Sequence, residues 1–144
     1  MKALVVHGPN LNLLGTRELS VYGSSTLEDV NAALEAEAKE LGIDLDVHQS
    51  SHEGGIVDLL HAGIGDVDGA LLNPAAYSHT SRAIADAVRA VPYPVIEVHL
   101  SNIHAREPWR RRSVTAEAAV GVVAGFGLRS YTVALRALEG MVRS

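Results

Sequence analysis

Apolar and polar positions alternate along the chain in blocks that predict strands and helices in turn. The run Lys2–His7 is short and mostly aliphatic, which is typical of a buried strand. Leucine, valine and alanine then recur at helical spacing over residues 27–41. Thr26 and Asp29 form a capping-box pattern before this helix, and Gly42 is placed to end it.

The rest of the chain continues this alternation of strands and helices. Five strands separated by helices imply parallel βαβ units, with a sheet covered on both faces. The length of 144 residues suits one domain, and it favours a flavodoxin-like α/β three-layer sandwich. The further predicted elements are an edge strand at 43–49, a helix at 56–64, strands at 69–73 and 94–99, a helix from about 80 to 91, a short strand at 118–125 and a closing helix from about 126 to 141.

The composition disfavours several classes of partner. The formal net charge is −5, whereas a surface that binds nucleic acid needs a basic balance. No apolar segment approaches the roughly 20 residues of a membrane span. The chain has no cysteine, which removes thiolate metal sites and fits a reducing compartment. We therefore expect a cytoplasmic protein with no membrane and no nucleic-acid partner.

Polar residues follow the carboxyl ends of three predicted strands. Residues 7–10 (HGPN) come after the first strand, Asn73 ends the third, and residues 99–102 (HLSN) follow the fourth. In open α/β sheets, ligands bind outside these ends, near the switch in strand order. The sequence therefore predicts a ligand-binding site at the carboxyl ends of these strands, without yet indicating its chemistry.

Glu97 and His99 lie two residues apart on a predicted central strand, so both side chains point to the same face. A carboxylate in a strand covered on both faces is costly unless it is paired, and His99 is the nearest partner. Such a pair favours a protonated imidazole, which could donate a proton to a leaving hydroxyl. The alternative is a structural Glu–His pair with no chemistry.

Tyr22 lies in a glycine-bounded segment at about 15–25, which we interpret as a mobile lid loop that closes over substrate. A phenol is a poor base at neutral pH unless a cation stabilises the phenolate. A guanidinium at about 4 Å would contribute roughly 4 kcal/mol at an effective dielectric of about 20. Arg17, with Arg106 or Arg110 opposite, could activate Tyr22 in this way. Alternatively, the ring of Tyr22 only packs the loop onto the domain.

The positions of the arginines, histidines and lysines favour some reaction mechanisms over others. Arginines crowd at 106 and 110–112, which indicates either a solvated loop or oligomer contact, or a local trap for a small anion. The histidines show no H-E-x-x-H spacing, so a metal enzyme is disfavoured. The only lysines are Lys2 and Lys39, and neither falls at the carboxyl end of a strand, so a Schiff-base mechanism is a poor candidate.

Four segments together resemble the type II 3-dehydroquinate dehydratases, the type II dehydroquinases of the shikimate pathway. These segments are residues 7–23 (HGPNLNLLGTRELSVYG), 49–54 (QSSHEG), 73–81 (NPAAYSHTS) and 96–113 (IEVHLSNIHAREPWRRRS). The resemblance implies a flavodoxin-like fold and a homododecamer built as a tetramer of trimers. It also implies reversible anti elimination of water from 3-dehydroquinate, through an enolate, to 3-dehydroshikimate. No metal and no organic cofactor is implied.

The resemblance also implies a role for each site residue. Tyr22 is the expected proton acceptor and Arg17 its electrostatic activator, while His99 is the proton donor and Glu97 its support. Asn10 and Arg106 are further site residues, with Asn10 ordering a water or donor near the enolate oxygen. The expected substrate-binding groups are the side chains of Asn73, His79 and Arg110, the backbone amides of Leu100 and Ser101, and Asp86 from a neighbouring subunit.

Four positions depart from the family pattern, none of them on a proposed catalytic residue. Leu19 stands where proline is common, Gly55 where an acid is frequent, Ala75 where glycine is common, and Val114 where tyrosine is common.

Two other classes share this fold and approximate length. A receiver-type signalling domain needs clustered acids after the first strand and an aspartate after the third, where this chain has HGPN and Asn73. A flavin-binding module needs a phosphate loop rich in serine, threonine and glycine, and residues 8–15 (GPNLNLLG) are too apolar.

Overall fold

The computed structural model describes residues 1–16 and 18–144, and Arg17 lies outside the described residues. The strands are β1 (Lys2–His7), β2 (Asp44–Gln49), β3 (Gly69–Asn73), β4 (Val95–His99) and β5 (Gly121–Ala124). The helices are α1 (Leu19–Tyr22), α2 (Leu27–Leu41), α3 (Glu53–Ala62), α4 (Arg82–Ala90) and α5 (Arg129–Arg143).

The five strands form one parallel sheet in the order β2-β1-β3-β4-β5. This is the flavodoxin-like order, and it confirms the predicted fold and the edge position of β2. The register aligns His7 with Asn73, and His99 with Ala124. The polar residues that follow β1, β3 and β4 therefore meet at one edge of the sheet.

Helices cover the two faces of the sheet, and the strand alternation assigns side chains to each face. Ala3, Val5 and Leu71 pack beneath α2 and α5, whereas Leu4 and Leu72 pack beneath α3 and α4. By the same alternation, the side chains of His7 and Asn73 continue the first face. Those of Glu97 and His99 continue the second face, since they follow Val95 at spacings of two residues. The site therefore draws on both layers of the core.

Helix α2 has the ends that the sequence predicts. The hydroxyl of Thr26 accepts from the Asp29 backbone at 3.1 Å, and the Asp29 carboxylate accepts from the Thr26 backbone at 2.9 Å. Gly42 ends the helix in the left-handed conformation, with φ of 68°. These contacts are local in sequence, so a capping box is readable without tertiary information.

Three helix starts differ from the prediction, and two of them have a local cause in the structure. Helix α3 begins at Glu53, before the apolar run starts. Helix α4 begins at Arg82, because residues 75–79 form a 3₁₀ turn and the Ser81 hydroxyl accepts from the Ile84 backbone at 3.0 Å. Helix α5 begins at Arg129, since Gly125 and Gly127 have positive φ and break any earlier start.

Tyr22 is the last residue of a short helix, α1. Helix α1 follows Glu18, which has φ of 40°, and it ends at Gly23, which has φ of 77°. Gly15, with φ of 87°, gives the chain its turn into this segment. The helix turns the Tyr22 ring towards the body of the protein, where it packs against the core cluster that includes Leu14 and Leu100. Among the described residues, no helix is both long and apolar enough to cross a bilayer.

Candidate active site

A pocket of about 120 Å³, partly open to solvent, lies at the carboxyl ends of the strands. Its lining includes most of the predicted site residues, namely Asn10, Tyr22, Asn73, His79, His99, Leu100, Ser101, Arg106 and Arg110. Glu97 is buried behind His99, with 1% of its surface exposed. The Asp86 side chain is 82% exposed on α4 and pairs with Arg89 at 3.4 Å, so it does not line the pocket of its own chain. The predicted role of Arg17 falls outside the described residues.

His99 and Glu97 form the buried pair that their spacing predicts. The distance from His99 Nε2 to Glu97 Oε2 is 2.8 Å, and both side chains are almost fully buried. An ionised carboxylate only accepts, so Nε2 of His99 donates to it. Nδ1 is then the ring nitrogen that can exchange a proton with a ligand in the pocket.

Two hydroxyls that sequence reasoning missed complete the surroundings of Glu97. Ser113 donates to Oε2 at 2.6 Å, and Thr115 donates to Oε1. Both residues are buried, and Ser113 also accepts from the Ala116 backbone at 3.0 Å. The carboxylate thus accepts three hydrogen bonds, which compensates the cost of burying it. In the sequence, the only sign of this role is that Ser113 and Thr115 alternate directly after the arginine cluster.

Tyr22 contacts a guanidinium in the pocket. Arg106 Nη1 donates to the Tyr22 hydroxyl at 2.7 Å, and the guanidinium carbon lies 5.0 Å from the ring centroid. The side chain of Arg106 is only 9% exposed, so water screens its charge weakly. The hydroxyl of Tyr22 thus lies within hydrogen-bond distance of a largely buried cation. The approach of an arginine to Tyr22, which the sequence predicts, is confirmed for Arg106.

The arginine cluster divides between pocket and surface. Arg106 and Arg110 line the pocket, and Glu107 binds both, at 3.9 Å and 2.8 Å respectively. The hydrogen bond from Arg110 lowers the pKa of Glu107. Arg111 and Arg112 are exposed, and Arg112 pairs with Glu117 at 3.2 Å. The small-anion interpretation therefore fits the first two arginines, and the solvated interpretation fits the other two.

His79 is held in one tautomer by the backbone. Its Nδ1 donates to the Arg112 carbonyl at 2.8 Å, since a carbonyl only accepts. Burial lowers the pKa of His79, and the hydrogen bond to that carbonyl opposes the effect. The ring also meets the edge of Trp109, with centroids 5.3 Å apart. A neutral His79 has Nε2 as an acceptor, which suits a substrate hydroxyl.

Asn10 owes its position to a close approach between two loops. Gly8 donates its backbone N–H to the Asn73 carbonyl at 2.8 Å, and a Cβ at Gly8 would lie 2.8 Å from backbone atoms of Pro74. Asn10 follows in the left-handed conformation, with φ of 69°, which asparagine tolerates better than most residues. Ala75, on the facing loop, also has positive φ, at 53°, where an alanine side chain is strained by about 1 kcal/mol. These constraints hold both loops at the pocket wall.

Asn73 is fixed by contacts on both sides of its amide. Its Oδ1 accepts from the Ala75 backbone at 3.0 Å, and its Nδ2 donates to the Tyr131 hydroxyl at 2.9 Å. The Tyr131 hydroxyl lies 3.0 Å from His7 Nδ1, and His7 Nε2 lies 2.8 Å from Asn31 Oδ1. We call Tyr131, His7 and Asn31 the Asn73 brace.

Protonation of buried His7 at acid pH should lower the free energy of unfolding. The ring is fully buried, and burial lowers the pKa of His7 from 6.5 to about 4. The unfolded chain takes up this proton near its ordinary pKa, so the stabilising contribution of neutral His7 is complete above pH 6.5 and is lost as the pH falls towards 4. At about 1.4 kcal/mol per pH unit, the loss is about 3 kcal/mol.

Urea unfolding at one protein concentration measures this effect. Between pH 7 and pH 4, we expect the wild type to lose about 3 kcal/mol more free energy of unfolding than His7→Asn, which has no imidazole to protonate. Equal losses in the two proteins would show that His7 does not set the acid sensitivity.

The described residues contain no group of three or more histidine, aspartate or glutamate side chains arranged to hold a metal ion. His52 occupies the N-cap position of α3, although its side chain makes no capping hydrogen bond. Glu53 accepts from the Ser81 hydroxyl at 2.5 Å, which ties α3 to the start of α4.

Comparison with known proteins places this geometry in a family. A family model described as dehydroquinase class II matches residues 1–139. The 3-dehydroquinate dehydratase of Geotalea daltonii is 54% identical over 143 residues, which cover 99% of this chain and 99% of that protein. The catabolic 3-dehydroquinase of Aspergillus oryzae is 54% identical over 132 residues, or 92% of this chain and 86% of that protein. The crystal structure of a type II dehydroquinase from Butyrivibrio crossotus matches with a TM-score of 0.93 and 40% identity, covering 100% of this chain and 98% of that one. The chain therefore belongs to the class II dehydroquinase family.

Proposed function

We propose that this protein is a 3-dehydroquinate dehydratase that eliminates water from 3-dehydroquinate to give 3-dehydroshikimate, a step of the shikimate pathway. One observation carries the proposal beyond family membership. The same pocket contains the Tyr22 hydroxyl, which is hydrogen-bonded to Arg106, and His99, which is hydrogen-bonded to a buried glutamate. The first pair suits a base and the second suits an acid, which are the two groups that an elimination needs.

The reaction begins with removal of the proton on the carbon next to the ketone. The phenolate of Tyr22 takes this proton, and the electron pair left behind forms an enolate. Arg106, and Arg17 as the expected activator, stabilise the phenolate before the transfer. Water screens the positive charge of Arg106 only weakly, because its side chain is largely buried.

The second step breaks the carbon–oxygen bond. The enolate returns to a ketone and forms the new carbon–carbon double bond, while the hydroxyl leaves from the neighbouring carbon. Protonated His99 donates its proton to this hydroxyl, so that water departs and the imidazole becomes neutral. Glu97 stabilises the charged imidazole before the transfer. The cycle closes when a proton passes from Tyr22 to His99 through solvent.

Polar groups around the pocket bind and orient the substrate. The Asn73 amide, the Nε2 of neutral His79 and the Arg110 guanidinium face the pocket and would hold substrate hydroxyls. The backbone amides of Leu100 and Ser101 would hold the carboxylate. Asn10 would order a water near the enolate oxygen, because negative charge develops there.

The segment at 15–25 would act as a lid. Tyr22 lies at the end of α1, between Gly15 and Gly23, which both adopt positive φ. The hydrogen bond between Tyr22 and Arg106 supports this role, because it ties the end of α1 to a residue that lines the pocket. Closure would exclude water from the enolate and deliver the base to the substrate in one motion.

The protein would work in the cytoplasm as a homododecamer, a tetramer of trimers. The edge strand β5 carries the exposed side chain of Val122, and the exposed side chains of Val120 and Phe126 flank this strand. An edge with exposed apolar side chains favours association with another subunit. In the assembly, Asp86 would reach the pocket of a neighbouring subunit from the exposed surface of α4.

A direct assay tests the proposed activity. The product carries a carbon–carbon double bond conjugated to its ketone, so ultraviolet absorbance should rise when 3-dehydroquinate is added. The same rate is expected in EDTA and after borohydride treatment, because no step uses a metal ion or a Schiff base. Folded wild-type protein that produces no absorbance change would refute the proposed function. Loss of rate in EDTA alone would refute only the metal-free mechanism.

A further inference from the structure

The Asn73 brace lies behind the pocket wall and consists of Tyr131, His7 and Asn31. Tyr131 and His7 are fully buried between α2, α5 and the sheet, where their neighbours include Val5, Leu71 and Leu135. Aliphatic packing alone does not require a hydroxyl or an imidazole at this place. The Tyr131 hydroxyl and both ring nitrogens of His7 nevertheless have hydrogen-bond partners, and one partner of Tyr131 is Asn73 in the pocket wall.

The directions of the hydrogen bonds in the brace follow from one group at each end, the Ala75 backbone amide and the Asn31 side-chain oxygen. The Ala75 N–H can only donate, so the Asn73 atom it contacts is Oδ1, and Nδ2 must face Tyr131. The Tyr131 hydroxyl therefore accepts from Asn73. At the other end, Asn31 Oδ1 only accepts, so neutral His7 carries its proton on Nε2 and donates it there. The Nδ1 of His7 then accepts the proton of the Tyr131 hydroxyl.

This network has a single arrangement when His7 is neutral. Burial lowers the pKa of His7 to about 4 and raises the pKa of Tyr131, so both side chains stay uncharged at neutral pH. Rotation of the Asn73 amide by 180° would set its NH₂ against the Ala75 N–H and its carbonyl against Tyr131. The brace and the Ala75 amide thus hold the Asn73 side chain in one orientation, with one N–H and one lone pair left over.

We propose that Tyr131 and His7 are positioning residues for Asn73, and that they present its remaining N–H and lone pair to the substrate hydroxyls. This inference rests on the proposed dehydratase function, because it assigns Asn73 a substrate to bind. Tyr131 and His7 do not touch substrate. They act by removing the alternative orientations of the amide that would otherwise be populated in the free enzyme.

Tyr131→Phe removes the hydroxyl at the centre of the brace and keeps the ring. We expect kcat/KM for 3-dehydroquinate to fall about 10-fold or more, mainly through a higher KM, because a hydrogen bond that orients a binding group is lost. Tyr93→Phe is the matched control. Tyr93 is also a buried tyrosine, but its hydroxyl donates to the Leu60 carbonyl in the core on the other face of the sheet. It should lose stability and keep wild-type kcat and KM.

A double-mutant cycle separates positioning from a general structural effect. If Tyr131 acts through Asn73, Tyr131→Phe should cost almost nothing further in an Asn73→Ala background. Independent effects that multiply in the double variant would overturn the proposal, whatever the size of the single effects.

Two variants at His7 test the brace even if Tyr131→Phe folds poorly. In His7→Asn, the side-chain Oδ1 lies near the former Nδ1 and can still accept the Tyr131 proton, whereas His7→Ala leaves that proton without a partner. We expect His7→Ala to raise KM about as much as Tyr131→Phe and His7→Asn to restore most of the loss. Equal kinetics for the two His7 variants would count against the brace.

The outcomes for the two proposals are distinguishable. Turnover by wild type and Tyr93→Phe, together with wild-type kinetics for Tyr131→Phe, would overturn the brace and leave the dehydratase function intact. A folded wild-type protein without turnover would overturn the dehydratase function and, with it, the positioning role that depends on it.

Discussion

Tyr22→Phe should fold and assemble as the wild type does and lose about 10²- to 10⁴-fold in kcat, the usual contribution of a positioned general base. The substitution removes only the hydroxyl that Arg106 contacts at 2.7 Å. The phenylalanine ring keeps the cation–π contact with the Arg106 guanidinium, so the pocket should retain its shape. The loss therefore reports the chemistry of the phenol rather than the position of α1.

Exchange of the substrate's α hydrogen with deuterated water gives a sharper measurement than turnover. If Tyr22 is the base, Tyr22→Phe should stop both exchange and elimination, because both require the enolate. Tyr77→Phe is the matched control, since it removes a tyrosine hydroxyl that donates to the Ser51 carbonyl at 3.1 Å, outside the pocket lining. A variant at Tyr22 that still exchanged the α hydrogen at the wild-type rate would place the base elsewhere.

The fold was predictable because its determinants are local. The Thr26–Asp29 capping box and Gly42 fix α2 from within a few residues of each end, and the strands follow from short apolar runs. The boundaries that were wrong depend on backbone conformation. The positive φ of Gly127 delays the start of α5, and the turn before Ser81 delays α4.

The site was predictable where two partners lie close in sequence or at a known point of the fold. Glu97 and His99 are two residues apart on one strand, so their pairing follows from strand alternation. Asn73 could be placed because it ends a central strand at the switch in strand order. The Tyr22–Arg106 contact spans 84 residues, and the sequence offered Arg106 only as one of several arginines that could approach the ring.

The missed residues are those whose roles depend on packing between distant elements. Thr115 reaches Glu97 from a loop that no local pattern connects to β4. Tyr131 reaches Asn73 across 58 residues, from helix α5, which the sequence predicts without indicating any role for this tyrosine. A buried polar side chain needs a partner, but sequence alone does not say which partner lies within reach.

Glu97→Gln should lower kcat at pH 7 by about 100-fold or more and leave KM within a few-fold of wild type. Glutamine has the shape of glutamate, and its carbonyl can still accept from His99 Nε2 and the Ser113 hydroxyl. Its NH₂ would then face Thr115, whose hydroxyl can rotate to accept. The substitution thus preserves the geometry and removes the negative charge that stabilises protonated His99.

A lower kcat with little change in KM would separate the catalytic interpretation of the Glu97–His99 pair from the purely structural one. If the pair were only structural, an isosteric amide with all its hydrogen bonds made should leave kcat unchanged, since the position of His99 is kept. Glu53→Gln is the control, because it removes a carboxylate charge from a serine-bound glutamate that does not line the pocket. It should keep wild-type kcat. Wild-type kcat in Glu97→Gln would mean that the departing hydroxyl takes its proton from a group other than His99, since a donor that depends on Glu97 for its charge cannot work equally well beside a neutral amide.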